Sequence, residues 1–317
     1  MLSGLALALA ACASPPANGP GPILEPFGLS PAVSNRASAL MFAPSCPPAG
    51  WDYAKLQALK AAGFEIADAG ERETFAREIT ACLGSPDPAV RDGIAFEALS
   101  HMLRGAQLSD AIKRTLLTDL TRMFGEPDPL GVQQPFAALA LSEVARADRI
   151  AAFLTDDERA KLLVDAQFWF INIKDYRGFS DTEGWRHAVA HGSDLLMQLA
   201  LNPRIDAEGL RLIVSAIGVQ VAPKGHAYIH GESERLARPI LFAAARGALS
   251  EKEWTNWLVQ LATPKDAGKV FTTEEGLAWR HDVQAFLQAL YINVTVGSDP
   301  KDDVLKPGLE AALKAIP

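Results

Sequence analysis

The chain is poor in several things that would narrow its chemistry. It has three cysteines in 317 residues. Lys and Arg number 30 against 38 Asp and Glu, a formal charge of −8. No block of basic residues occurs, so the sequence lacks the electrostatic footprint of a phosphate-backbone binder, and no nucleic-acid partner is expected. The apolar run from Leu5 to Ala11 is far too short to span a bilayer. There is no G-x-S-x-G nucleophile elbow, no P-loop, no G-x-G-x-x-G after a strand and no alternating strand of useful length.

That short run does suit the apolar centre of a signal peptide. It ends in Leu9-Ala10-Ala11-Cys12, which resembles a bacterial lipobox whose Cys12 would be lipidated, although the usual basic start is missing before Arg36. Residues 13–50 are rich in Pro, Ala, Ser and Gly and read as an extended tether. The expectation is a periplasmic lipoprotein of the bacterial cell envelope, touching the membrane only through its N-terminal anchor. In an oxidising compartment the remaining pair, Cys46 and Cys82, would form a disulfide.

Residues 51–317 read as a single all-α domain. The stretch WDYAKLQALKAAG has apolar residues at 51, 56, 59 and 62 and ends in Gly63, while Ser109 and Thr155 stand as helix caps before LSDAIKRTLL and TDDERAKLLV. Pro-Asp-Pro occurs at 86–88 and 127–129, and Trp-Arg-His at 185–187 and 279–281. The first offset is 41 residues and the second 94, or twice 47; one and two periods of the roughly 40 to 47 residue HEAT-type helix pair fit them, so a helical-repeat solenoid is expected, with an irregular multi-helix bundle as the alternative.

In EGWRHAVAHGSDLL, His187, His191 and Asp194 fall at i, i+4 and i+7 and would share one helical face. Two imidazoles and a carboxylate so spaced could hold a divalent metal. Ala188, however, stands where an H-E-x-x-H helix carries its general base. The other readings are a polar seam between helices, with each group hydrogen-bonded, and a metal-free binding face. PKGHAYIHGESERLARP supplies a second cluster, His226, His230, Glu232, Glu234 and Arg235. Its acids and Ser233 could cap a helix, or the loop could fold over His187 and bring His226, His230 or Glu234 to it. Asp175, Arg177 and Arg186 could complete the charge pairing. The aromatic run Phe168, Trp169, Phe170 cannot share one helix face, so one ring would line a groove or a contact between repeats.

Arg177-Gly178-Phe179, the Gly184-Trp185 to Asp194 segment and Glu232-Ser233-Glu234-Arg235-Leu236 together resemble an uncharacterised bacterial family, domain of unknown function 2785. The resemblance runs from about Cys46 to the last long helix. It implies a helical, repeat-like fold and no reaction. The expected function is therefore a protein- or peptide-binding module with a polar His/Asp/Glu centre and no required cofactor. The alternative is a metal-dependent hydrolase using His187, His191 and Asp194.

Overall fold

A computed structural model describes residues 45–297 and 299–317. The lipobox, Cys12 and most of the tether lie outside the described residues. The first helices are α1 (Tyr53–Ala61), begun by the Asp52 side chain accepting from the Lys55 amide, and α2 (Ala69–Glu78), begun in the same way by Asp68. Gly63 turns the chain after α1 with φ of +72°. A 3-10 turn, Ile79–Gly84, carries Cys82, which is bonded to Cys46. The last stretch of the expected tether is thus stapled to the domain.

Helix α3 (Pro88–Val90) widens into a π-helical stretch, Arg91–Phe96, and continues as α4 (Glu97–Arg104). Then come α5 (Asp110–Met123), α6 (Gln133–Ile150) and α7 (Asp156–Ile171). Ser109 caps α5, and Thr155 forms a complete capping box with Glu158 on α7. A minimal hairpin follows, β1 (Phe179–Ser180) pairing antiparallel with β2 (Gly184–Trp185). The remainder is α8 (Ala188–Leu201), α9 (Ala207–Gln220), α10 (Glu232–Ala245), α11 (Glu251–Ala262), α12 (Glu274–Val296) and α13 (Lys306–Ala315).

Alternate helices form the layers. α4, α6, α8, α10 and α12 pack successively side by side, while α7 packs on α9 and α11 on α13. The apolar core lies between them, with Phe75, Phe136, Phe170, Trp254 and Phe286 among its largest buried side chains. Among the described residues no helix is long and apolar enough to cross a membrane.

The sequence repeats are not structural equivalents throughout. Asp87 caps α3 at once, whereas Asp128 binds the amides of Gly131, Val132 and Gln134 and prepares α6 several residues later. Trp185-Arg186-His187 belongs to the hairpin and its exit, but Trp279-Arg280-His281 lies inside α12.

Candidate functional site

The helix expected over 183–196 begins late. Gly184 has φ of +69°, and the Arg186 and His187 amides donate to the carbonyls of Gly178 and Arg177, extending the hairpin ladder at 2.9 and 3.1 Å. Those bonds compete with the first helical turn and win. His187 is left in the left-handed region, with φ of 54°, as the residue before α8. It does not share a helical face with His191 and Asp194.

Arg91, which the sequence reading passed over, holds this hairpin in place. It is fully buried and donates to the carbonyls of Ser85, Glu183 and Trp185 at 3.1 Å each, with its guanidinium 4.8 Å from the Phe136 ring centroid. The only hint in the sequence is an Arg in the apolar run of DPAVRDGIAFEAL. Arg186 donates to the Leu130 carbonyl at 2.9 Å and pairs with Glu183. Arg177 pairs with Asp175, whose carboxyl burial would raise, but whose bonds to Arg177 bring it below its ordinary value.

The His187 ring stacks on Trp185, 4.4 Å between centroids, and its Nε2 lies 3.5 Å from Glu232 Oε1. Glu232 is 2% exposed. Its Oε2 accepts the His230 amide at 2.9 Å, and its Oε1 is 3.9 Å from His230 Nδ1. Burial pushes this carboxyl up, but His187 and the His230 amide more than offset that and keep it below the ordinary range. Glu232, the first residue of α10, therefore serves the histidine cluster rather than the cap of its own helix. Gly231 is the cap residue and no side chain caps that helix, so Ser233 does not play the expected part. Glu232, rather than Glu234, joins the second cluster to the first. Glu234 stays exposed. Gly178 makes room for His230, since a Cβ there would sit 2.2 Å from His230 Nδ1.

The other members diverge. His191 packs edge-on against Phe136 at 4.9 Å and leaves its Nδ1 without a partner. Burial, followed by the proximity of His187 and the Arg235 guanidinium, drives its pKa well below the usual histidine range, so the ring is neutral. Asp194 turns to Arg235 on α10, which binds both carboxylate oxygens. Among the described residues no three His, Cys, Asp or Glu side chains are grouped to hold a metal ion. His226 lies apart, stacked on Tyr176 at 5.4 Å and edge-on to Tyr228 at 5.6 Å.

Tyr228 leads to a further buried acid that the sequence reading missed. Its amide donates to Asp282 Oδ1 at 2.9 Å, while Asp282 Oδ2 has no partner and the residue is fully buried. Burial pushes this carboxyl up to about 6, and the charge of Glu232 adds to the rise. Its folded pKa lies above the unfolded one, so its contribution to stability is complete below about pH 4 and is lost as pH rises through about 6. The advantage of Asp282→Asn over the parent should therefore grow by about 2 to 3 kcal/mol between pH 4 and pH 7. Urea unfolding at the two pH values checks this, and a difference that does not change with pH counts against it.

An open groove of about 880 Å³ starts beside Ala188, Gln134 and Asp175 and runs between α5 and α7 to Arg114 and Glu158. The aromatic run divides here: Phe170 is buried, Trp169 stacks on Phe124 at 4.7 Å and donates to Gln134, and Phe168 is 68% exposed. The groove wall is apolar and its rim carries paired charges, Arg114 with Glu158 and Lys161 with Asp165.

Residues 120–292 match a family model described as "Protein of unknown function (DUF2785)". The chain belongs to this family. The match spans α6 through most of α12, and so includes the hairpin, the His187–Glu232 contact and Asp282. No curated protein matches the chain, and no solved structure does.

Proposed function

We propose that this DUF2785 protein is a HEAT-like helical-repeat binding module that takes an extended peptide segment in the groove between α5 and α7. The observation that carries this reading is the groove itself, about 880 Å³ of open, largely apolar surface with Phe168 left 68% exposed at its edge. An exposed aromatic in an apolar cleft is costly to leave in water and is a common anchor for a partner side chain. The alternate packing of α4, α6, α8, α10 and α12 supports the solenoid reading, because repeat units bury their faces only against neighbours. The disulfide supports export, since such bonds persist mainly in oxidising compartments. A lipid anchor at Cys12 would then tether the module to the envelope membrane.

The polar centre formed by His187, Glu232 and His230 does not line the groove and meets it only along the chain. Ala188, which follows His187, is part of the groove wall. A metal-dependent hydrolase built on His187, His191 and Asp194 would need Asp194 freed from Arg235.

Peptides selected from a random displayed library on the parent protein should lose binding by at least about tenfold on Phe168→Asp, a change that removes an anchor without touching the core. Recovery of no peptides, or of peptides that bind the variant equally well, overturns the assignment of this groove.

A further inference from the structure

A second surface, on the α4–α6–α8–α10 layer, has a charge character opposite to that of the chain. Arg104 of α4 pairs with Glu143 of α6, and Arg235 of α10 pairs with Asp194 of α8. Between these pairs lie guanidinium groups with no such partner. Arg149 of α6 donates only to the Gln198 amide oxygen of α8 at 3.2 Å. Burial and the neighbouring Arg146 charge both lower the Arg149 pKa, a sign of two cations crowded together. Arg238 of α10 is exposed, close enough to Asp194 to bear on its ionisation. Among the described residues Arg146, Arg149 and Arg238 form no ion pair. Glu234, one turn before Arg238, makes none with it either.

These groups share one face. Asp194 and Gln198 are one turn apart on α8, so Arg149 and Arg235 approach the same side of that helix from opposite neighbours. Ile150 beside Arg149 is 61% exposed, and Phe242, one turn beyond Arg238, is 38% exposed. Neighbouring helix axes lie about 8 to 10 Å apart, so α6 to α10 spans about 20 Å, the length of about six extended residues.

We infer that this face is a docking surface for an acidic polypeptide segment, its carboxylates taken by Arg146, Arg149 and Arg238 and its apolar side chains by Ile150 and Phe242. Arginine suits this task because its planar fork meets a carboxylate with two parallel hydrogen bonds. The interleaved apolar side chains, and the two carboxylates already set in the face, fit a peptide of mixed character better than a uniform polyphosphate. The surface lies away from the α5–α7 groove and does not depend on it.

The test is fluorescence anisotropy on the full chain with a labelled peptide of repeated Asp-Glu-Leu-Gly units, and with the same peptide carrying Lys in place of each acid. The acidic peptide should bind with an affinity that falls as salt rises. Arg238→Glu and Arg146→Gln should each weaken it by about tenfold with unchanged melting temperature, while Phe168→Asp leaves it intact. Equal binding of the lysine peptide, or indifference to both arginine changes, overturns the proposal. So does an oligothymidylate of equal charge that binds more tightly and displaces the peptide, because the surface would then be one for nucleic acid.

Discussion

Replacing Arg159 by Met should cost about 3 to 5 kcal/mol of folding stability, because it strands a buried carboxylate. Arg159 and Asp148 are 2% and 1% exposed, and the guanidinium meets both carboxylate oxygens, at 2.8 and 3.3 Å. Asp148 also accepts from the Phe153 and Leu154 amides and from Asn202 Nδ2, so one carboxylate ties the end of α6 to the start of α7 and the end of α8. Burial alone would raise its pKa. The Arg159 and amide bonds outweigh burial and hold it below the ordinary value. Stability from this group is therefore present above about pH 4 and lost as pH falls through the lowered folded value. The Arg159→Met penalty should shrink toward acid pH, where Asp148 takes a proton instead. Removing both partners, as Arg159→Met with Asp148→Leu, should recover part of the loss, since an apolar pair strands no charge. A single variant that unfolds within about 1 kcal/mol of the parent at pH 7 would show that the junction is not held this way.

The local grammar of the chain was legible, and its long-range chemistry was not. Ser109 and Thr155 cap α5 and α7 as their positions require, because a cap is decided within four residues. The all-α class followed from the same short-range signals. His187 misled because i, i+4 spacing reads identically whether or not the helix has begun, and what delays it is Gly184 together with Arg91, remote in sequence. The two histidine clusters are linked through Glu232, which the capping pattern around it disguised, and through the Asp194–Arg235 pair, whose partners lie 41 residues apart. Asp282 could not be found from sequence, since an acid near the middle of a long helix is ordinarily solvated. The arginine face was hidden for a related reason. Its members are spaced one turn apart on α6 and on α10, with Arg104 on α4, so no basic run marks it, and only the side-by-side packing of alternate helices brings them together.

Cys46→Ser should lower stability by about 3 to 4 kcal/mol, the chain-entropy value for closing a loop across a sequence separation of 36 residues. Cys46 is exposed and Cys82 fully buried in the 3-10 turn after α2, so the change at 46 cuts the staple while leaving the core side chain in place. Most of the effect should then come from the released chain rather than from lost packing. Cys82→Ala should cost somewhat more, because Cys82 is fully buried and the change also opens a small void in the core. Reduction of the parent without mutation should reproduce the Cys46→Ser value. For a domain of this size a loss of that order lowers the melting temperature by roughly 6 to 15 °C. The same bond bears on location, because a pair that stays oxidised in the cell fits an envelope protein. Non-reducing peptide mapping of protein taken from its native compartment should recover Cys46 linked to Cys82. Two alkylatable thiols there would argue against both the bridge and export, and a Cys46→Ser protein that melts with the parent would show that the staple constrains a segment the fold already holds.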